Sequence, residues 1–335
     1  MGEALFRALD GKTLLLTGGT GMIGKALVDQ LLLKTTCRIV LFGRSKAKVR
    51  ERFPEHAGTE RLHFVEWDPS HPTPLDASSL RENTPDYILH LASNTHPVAY
   101  ATDPVSTVVM NVCATRELLD LAVAVRCKRF LFASSVEIYG TNRGDAELFR
   151  EDYCGHIDCN TLRAGYPESK RCGEALCQAY IRQYGLDVVI PRLARVYGPT
   201  ILKTDTKALS QFIARALDGK DIVLKSKGDQ FFSYLHVADA VSGLLTVLLK
   251  GACGEAYNIS DERSDIRLRD LAARVAETAG QKVVFDLPDA AEQAGFSTAT
   301  VARLDSTKLK ALGWHAEYDI RGGLADTLAS LRAQT

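Results

Sequence analysis

The chain has 335 residues, of which 46% are hydrophobic and 24% are charged, and its 41 basic side chains balance its 41 acidic ones. With a formal net charge of zero, no overall field draws the protein to nucleic acid or to a membrane surface, and we expect neither as a partner. The length is sufficient for a large core divided between two lobes.

The cysteines and the start of the chain indicate the compartment. The eight cysteines form no Cys-x-x-Cys pair and have no histidines at zinc-like spacing, so we expect free thiols and no metal site. No apolar stretch reaches the ~20 residues of a membrane span, and the first residues lack a signal-peptide pattern. Together these features predict a cytoplasmic protein in a reducing environment.

Short β-rich runs alternate with helical patterns along the chain. The predicted strands are Thr13–Thr17, Arg38–Phe42, Leu62–Glu66, Tyr87–Ala92, Arg129–Ser134, Val188–Pro191 and Ala256–Ile259. The predicted helices are Ile23–Lys34, Val105–Val125, Tyr166–Tyr184 and Ala238–Lys250. Such alternation is typical of parallel strands joined by right-handed crossovers, so it predicts an α/β fold with a doubly wound sheet. Ligands of such sheets bind beyond the carboxyl ends of the strands.

The first predicted strand runs into a glycine-rich turn, Thr17-Gly-Gly-Thr-Gly-Met-Ile-Gly24, and then into helical sequence. Gly18 can adopt the positive φ of a tight turn, Gly21 lets the backbone approach a pyrophosphate, and Gly24 lets the helix lie close to the strand. The helix N-terminus offers unpaired N–H groups and a partial positive charge to phosphates. Strand, turn and helix in this order predict a dinucleotide site.

Residues that follow the next predicted strands indicate which dinucleotide binds. An acidic residue after the second strand would bind the ribose of NAD, but Arg44 lies there instead and suits a 2′-phosphate. The cofactor is therefore NAD or NADP, with NADP favoured by Arg44; the alternative for this residue is a solvated basic loop. Asp68 is placed to meet the adenine amino group, and Leu91, Ala92 and Ser93 end the fourth strand close to the expected cofactor path.

A second group of residues has the pattern of a catalytic site. Ser135 and Glu137 follow an apolar strand, and Tyr166 and Lys170 lie about thirty residues further on, at the start of a predicted helix. Tyrosine and lysine four residues apart share one helical face. A lysine ammonium near the phenol, with a nicotinamide cation beside both, would stabilise the phenolate. An opposite charge within ~4–6 Å shifts a pKa by about 1–3 units, and this would make Tyr166 a usable base near neutral pH.

These motifs resemble those of the extended short-chain dehydrogenases/reductases, in the NAD(P)-dependent nucleotide-sugar epimerase/dehydratase family, over essentially the whole chain. The resemblance implies that Tyr166 is the base, that Lys170 orients it and binds the ribose, and that Ser135 holds the sugar oxygen being oxidised. It also implies the cofactor-binding residues, which are Gly18, Thr20, Gly21, Met22, Ile23, Gly24, Arg44, Asp68, Leu91, Ala92, Ser93, Asn111, Tyr166, Lys170 and Arg192.

The resemblance further implies a Rossmann-type doubly wound parallel sheet with a smaller C-terminal α/β lobe that binds the nucleotide sugar. The cofactor domain would comprise residues 1–192 and 235–261, and the substrate domain residues 193–234 and 262–335. Substrate contacts are expected from Ser135, Arg195, Lys207 and Phe212.

Within the family, the stretch from Tyr197 to Ile213 is most similar to UDP-glucuronate decarboxylases, and Glu137 also fits decarboxylase-like and dehydratase-like members. Oxidation at C4 would make the C6 carboxylate part of a β-keto acid and acidify the C5 proton, which Glu137 could take or return. The alternative for Glu137 is a strand-end residue bound to nearby backbone.

Three residues depart from the family pattern. Val136 stands where dehydratases have the aspartic acid that protonates the leaving hydroxyl, so dehydration in that form is disfavoured. Phe232 stands where most members have an arginine that contacts phosphates or substrate, and Arg195 stands where most have an asparagine. The anion contact has moved to Arg195, or the substrate differs; a structural ion pair is the other reading of Arg195.

Several functions stay open at this point. The favoured one is decarboxylation of a UDP-uronic acid through a transient 4-keto sugar, and the alternatives are a nucleotide-sugar 4-epimerase and an NADPH-dependent keto-sugar reductase. A non-catalytic dinucleotide-binding sensor is a minor alternative. The helices Val105–Val125 and Tyr166–Tyr184 are apolar on more than one face, and with the resemblance this predicts a homodimer.

Overall fold

The computed structural model describes residues 2–56, 58–68, 75, 80, 83–93, 103–286 and 300–334. A large parallel sheet with helices packed against it forms most of the molecule, and two smaller sheets lie beside it. The helices are α1 (Gly2–Arg7), α2 (Met22–Lys34), α3 (Lys46–Arg52), α4 (Pro104–Ala124), α5 (Gly165–Tyr184), α6 (Ala208–Leu217), α7 (Val237–Lys250), α8 (Leu268–Ala279), α9 (Thr307–Lys310) and α10 (Ile320–Arg332).

The large sheet consists of the parallel strands β1 (Thr13–Thr17), β2 (Arg38–Gly43), β3 (Leu62–Glu66), β4 (Tyr87–His90), β5 (Arg129–Phe132), β6 (Ser134–Ser135), β7 (Val188–Leu193) and β11 (Ala256–Ile259). Their order across the sheet is β11-β7-β5-β4-β1-β2-β3, and the short β6 is paired to β7. The order reverses between β1 and β4, which creates a crevice at their carboxyl ends where ligands of such sheets bind.

Local sequence explains where the site helices start and stop. The Asp103 carboxylate caps α4 by accepting a hydrogen bond from the Ser106 N–H, and Pro104 fills the first helical turn, where a missing N–H costs nothing. At the other end of α5, Gly185 adopts a left-handed conformation that ends the helix. Both helices therefore begin close to the carboxyl edge of the large sheet.

The smaller sheets are built mainly from the last third of the chain. Strand β10 (Phe231–His236) pairs with β8 (Arg195–Tyr197), β12 (Asp265–Arg267) and β14 (Val301–Ala302). The third sheet pairs β9 (Ile222–Leu224) with β13 (Val283–Phe285). Only Ala194 separates β7 from β8, so the chain passes from the large sheet into the second sheet almost without interruption.

The α/β fold with its doubly wound parallel sheet is confirmed, and each strand predicted from the sequence is present. The fourth strand ends at His90 rather than Ala92, and the fifth ends at Phe132, with Ser134–Ser135 forming β6. Strands β8, β9, β10, β12, β13 and β14 were not predicted. Strand β10 crosses the predicted domain boundary at 234/235, and the division into two domains stays a prediction. No helix in the described part of the chain is long and apolar enough to cross a membrane.

Candidate active site

A cleft of about 1470 Å³ lies at the carboxyl edge of the large sheet, between that edge and the elements of the smaller sheets. Most residues that the sequence singled out line it. These are Gly18, Thr20, Gly21, Met22, Ile23, Gly24, Arg44, Leu91, Ala92, Ser93, Ser135, Glu137, Tyr166, Arg195, Lys207 and Phe212. The cleft therefore brings the expected cofactor residues and the expected substrate residues together.

The glycine turn has the shape that a dinucleotide pyrophosphate needs. Gly18 has a φ of 72°, and a Cβ there would lie 2.7 Å from the Ala92 nitrogen, so only glycine fits. A Cβ on Gly24 would overlap the Gly18 carbonyl oxygen, so this glycine lets α2 pack directly on the turn. Helix α2 begins after Gly21 without an acidic residue in its first turn. Its free N–H groups and partial positive charge suit a pyrophosphate.

The far end of the expected cofactor path is basic and aromatic. Arg44 and Lys48 are exposed, line the cleft and form no ion pair within the described part of the chain. The Trp67 ring packs against Phe42, with centroids 6.0 Å apart, and forms a wall of the same region. Asp68, expected at the adenine, is not part of the cleft lining.

Tyr166 lies in the first turn of α5, buried at the floor of the cleft. Its hydroxyl is hydrogen-bonded to Ser135 and Ser93, which places the phenol and the Ser135 hydroxyl side by side. Burial raises the pKa of Tyr166 to about 12, and these hydrogen bonds oppose the rise. The sequence predicts a lowered pKa when the lysine and a bound nicotinamide cation lie beside the phenol; the structure adds the burial of the phenol, which acts in the opposite direction.

Lys170 lies one helical turn beyond Tyr166 but below the lining of the cleft. Its ammonium donates a hydrogen bond to the Ala133 carbonyl oxygen at 2.8 Å and lies 4.9 Å from the Phe132 ring centroid. Burial lowers the pKa of Lys170 to about 8, while the Glu174 carboxylate opposes the change. In the protein alone, this lysine supports the junction between β5 and β6.

Asn111 also lies behind the lining and joins the two site helices. Its side-chain carbonyl accepts a hydrogen bond from the Ser93 hydroxyl at 2.7 Å, and its NH₂ group donates to the Ser169 hydroxyl at 2.8 Å. Ser169 in turn donates to the Tyr166 carbonyl oxygen. The sequence expected Asn111 to contact the cofactor; in the structure it holds the residues that line the cleft.

Arg192 differs from its expected role. Its guanidinium forms a two-pronged ion pair with Glu174, at 3.0 and 2.7 Å, and donates to the Tyr139 hydroxyl and the Glu151 carbonyl oxygen. It is buried and does not line the cleft. Because its donors are satisfied by protein groups, Arg192 ties β7 to α5 and is not positioned to hold a cofactor.

Glu137 lies between two arginines. Its Oε1 is 3.3 Å from Arg195 Nη2, and its Oε2 is 3.8 Å from Arg163 Nη2. The Arg195 guanidinium stacks on Phe232, with its central carbon 3.6 Å from the ring centroid. Two of the three departures from the family pattern, Arg195 and Phe232, are therefore in direct contact. Glu137 is not simply bound to backbone, since its carboxylate is paired with charged side chains.

Sequence reasoning missed several residues of the site. Lys207 and Phe212 line its substrate end as expected, and the Lys207 ammonium is 3.4 Å from Asp205. Arg163 was not singled out, although its place three residues before Tyr166 could have signalled it. The remaining missed lining residues gave no motif, and they include Trp67, Arg215 and Tyr234.

Comparison with known proteins agrees with this geometry. Residues 14–260 match the model of the NAD dependent epimerase/dehydratase family, a span of nearly three quarters of the chain. The chain belongs to this family. The match starts within β1 and ends just after β11, so it covers the large sheet and its carboxyl-edge cleft.

Members of the epimerase/dehydratase family resemble the chain over nearly all of its length. UDP-glucuronic acid decarboxylase 5 of Arabidopsis thaliana is 30% identical over 93% of this chain and 86% of its own length. UDP-glucuronic acid decarboxylase 1 of Danio rerio is 30% identical over 95% of this chain and 72% of its own. A dTDP-glucose 4,6-dehydratase from Streptomyces venezuelae, solved with NAD bound, superposes with a TM-score of 0.80 at 28% identity, covering 96% of this chain and 97% of that one. The protein is therefore an enzyme that uses NAD or NADP.

Proposed function

We propose that the protein decarboxylates a UDP-uronic acid through a transient 4-keto sugar. The observation that carries the proposal is the meeting of Ser135, Glu137 and Tyr166 in one cleft with the glycine turn. Its similarity to proteins named UDP-glucuronic acid decarboxylases supports the substrate class. Val136 is buried and apolar, so it cannot protonate a leaving hydroxyl, which disfavours dehydration.

The residues fit a bound NAD(P) at the glycine turn, with Gly18, Gly21 and Gly24 beside the pyrophosphate and Arg44 near the adenosine ribose. That group would supply a hydride acceptor and a positive ring charge beside the phenol. Tyr166, in its ionised form, would take the proton of the sugar 4-hydroxyl while Ser135 donates a hydrogen bond to the same oxygen. Lys170 would hold positive charge below the pair and favour the phenolate.

Loss of the C4 hydrogen as hydride leaves a ketone two bonds from the C6 carboxylate. The bond between C5 and C6 then breaks, carbon dioxide leaves, and the bonding electrons form an enolate on C5, C4 and its oxygen. A proton delivered to C5 restores the ketone, and Glu137 is the titratable group on this side of Ser135 that could relay it. Tyr166 would finally return its proton to the 4-oxygen, and the cofactor would supply the hydride for C4, so the reaction would be redox-neutral overall.

The test follows the fate of the carboxyl carbon. Purified protein is incubated with UDP-glucuronate labelled with ¹³C at C6 and with catalytic NAD or NADP, and the products are followed by NMR. We expect labelled carbon dioxide and a UDP-pentose, with no net reduced cofactor. Retention of the label with inversion at C4 would establish a 4-epimerase instead, and absence of any change in the sugar would refute both readings.

A keto-sugar reductase is the second candidate, because Arg44 and Lys48 are exposed and form no ion pair among the described residues. Two such cations suit the 2′-phosphate of NADPH, which a reductase would consume and release. Protein purified with a full complement of oxidised cofactor supports the redox-neutral reaction. Protein purified empty, which oxidises added NADPH with a 4-keto sugar, supports the reductase.

We also propose a homodimer formed through α4 and α5. Val105, Val108, Val109 and Leu162 are exposed near the start of these helices, and Val105 retains 71% of its accessible surface. Burial of these side chains against a second copy would remove apolar area from water. We expect a dimer mass in light scattering and a shift to monomer for Val105→Glu.

The free thiols support a reducing cytoplasm as the compartment.

A further inference from the structure

The carboxylate of Glu137 and the guanidinium groups of Arg163 and Arg195 form a cluster that catalysis of hydride transfer does not require. Each residue of this cluster lines the cleft. The Glu137 oxygens are 3.3 Å from Arg195 Nη2 and 3.8 Å from Arg163 Nη2. Both guanidinium groups contact the single Glu137 carboxylate, and an anion that enters the cleft can compete with that carboxylate for Arg195.

The Arg195 guanidinium is oriented by its neighbours, but not all of its hydrogen-bond donors have partners among the described residues. Its register partner across the strand pair is Tyr234, and its guanidinium rests on the face of Phe232, 3.6 Å from the ring centroid. Such stacking orients the guanidinium plane and leaves its N–H groups to form hydrogen bonds in that plane. Glu137 contacts one nitrogen, and Nη1 is buried without a hydrogen-bond partner among the residues that the structure describes. A carboxylate that contacts both nitrogens would satisfy the fork better than Glu137 does.

The cluster lies next to the reacting groups. The Ser135 hydroxyl accepts a hydrogen bond from the Glu137 N–H at 3.2 Å, and the same hydroxyl is hydrogen-bonded to Tyr166. The backbone of Glu137 is therefore in direct contact with the oxygen that contacts Tyr166. A sugar held by Ser135 and Tyr166 at its 4-oxygen would present the substituents of the neighbouring carbon towards this side.

We propose that Arg195 and Arg163 form a carboxylate clamp, which Glu137 occupies in the protein alone and the carboxylate of a sugar acid occupies in the complex. This proposal deepens the proposed function and rests on it for the nucleotide-sugar class of substrate. The clamp makes Arg195 a specificity-determining residue that separates sugar acids from neutral sugars. Displacement of Glu137 from Arg195 also frees its carboxylate to carry a proton only when a substrate acid is bound.

The test compares two ligands that differ in the charged group alone. Calorimetry at fixed ionic strength, with NADH in place of NAD so that UDP-glucuronate is not oxidised, measures the dissociation constants of UDP-glucuronate and UDP-glucose. We expect the wild-type protein to bind UDP-glucuronate at least tenfold more tightly. Arg195→Gln is expected to weaken UDP-glucuronate at least tenfold and UDP-glucose less than twofold. Lys207→Gln, which changes another cation of the cleft, is the matched control and is expected to weaken both ligands equally.

Two results would overturn the clamp. Equal affinity of the wild-type protein for both ligands would do so, and this measurement needs no variant that must fold. Equal weakening of both ligands by Arg195→Gln would assign the arginine to the nucleotide instead. The outcome is separate from the proposed reaction, because charge selectivity without carbon dioxide release keeps the clamp and refutes decarboxylation. Release of carbon dioxide without charge selectivity would support decarboxylation and refute the clamp.

Discussion

The Thr17 hydroxyl lies 2.8 Å from Nδ1 of His90, at the carboxyl ends of β1 and β4, where the order of the large sheet reverses. Thr17 Oγ1 also accepts a hydrogen bond from the Ala92 N–H, so this one hydroxyl joins the histidine ring to the backbone that follows β4. Burial, and in second place the Lys170 charge, lowers the pKa of His90 to about 3. The pair therefore links the two strands through a neutral imidazole.

This pair gives a stability prediction with a defined pH window. An unfolded histidine binds a proton near pH 6.5, whereas folded His90 does so only near pH 3. As the pH falls from 6.5 towards 3, the unfolded state gains a proton and the free energy of unfolding decreases, by up to about 1.4 kcal/mol per pH unit. We expect the free energy of unfolding of His90→Asn, whose side-chain amide can still form a hydrogen bond with Thr17, to decrease less than that of the wild-type protein over this pH range.

Urea unfolding of both proteins at pH 7, 6 and 5 measures the effect. Asp239 and Asp265 act in the opposite direction, because burial raises the pKa of each carboxyl to about 6 and the folded state binds their protons first. These aspartates are present in both proteins, so their contribution cancels in the comparison. An unchanged pH slope in the variant would contradict the assigned pKa of His90.

The glycine turn predicts different outcomes for two similar substitutions. A Cβ on Gly24 would overlap the Gly18 carbonyl oxygen and lie 2.6 Å from the Gly19 Cα, whereas a Cβ on Gly21 would meet only the Gly18 oxygen, at 3.3 Å. We expect Gly24→Ala to lower the free energy of unfolding by about 1–3 kcal/mol, because backbone must move. Gly21→Ala should lower it less while weakening dinucleotide binding.

Thermal unfolding and fluorescence titration with NAD separate these two effects. Equal destabilisation by both alanines would mean that α2 does not pack on the turn as described. Unchanged NAD affinity in Gly21→Ala would place the pyrophosphate elsewhere.

Tyr166 and Tyr139 form a matched pair for testing the base. Both are buried, but Tyr166 faces the cleft, whereas the Tyr139 hydroxyl donates to Asn258 and accepts from Arg192 away from it. We expect Tyr166→Phe to reduce turnover about 10²–10⁴-fold through loss of proton transfer. Tyr139→Phe should keep turnover and cost about 1–3 kcal/mol of stability, since Arg192 loses an acceptor.

Steady-state assays and urea unfolding of both variants provide the measurement. Full activity in Tyr166→Phe would remove the phenol from the chemistry and favour a dinucleotide-binding sensor.

Arg44 gives a prediction for cofactor choice. Loss of a hydrogen bond to a charged group costs about 1.5–3 kcal/mol, which corresponds to roughly 10–150-fold in affinity. We therefore expect Arg44→Gln to weaken NADP by at least tenfold and NAD by less than twofold. Arg38, at the other end of β2 and exposed, serves as the control in Arg38→Gln. A protein that already prefers NAD, or a variant that weakens both cofactors alike, would contradict the role of Arg44.

The parts that could be predicted from sequence are those decided by local chemistry. Gly18 was identifiable because a positive φ at a strand end needs glycine, and the strands were identifiable from their apolar runs. The contacts of Arg192 with Glu174 and of Lys170 with the Ala133 carbonyl could not be predicted, because only the fold brings these groups together. The burial that raises the pKa of Tyr166 could not be predicted for the same reason, since burial is a property of the tertiary structure.

Ala194, between β7 and β8, sets the position of Arg195 relative to the large sheet. One residue joins β7, which pairs with the strand of Ser135, to the strand that carries Arg195. Side chains alternate in direction along a strand, so a one-residue insertion here would turn Arg195 away from Glu137 and Phe232. Loops elsewhere in the smaller sheets can lengthen without reversing the direction of the side chains that face the cleft. At this junction, a change in chain length would also change which ligand the cleft can bind.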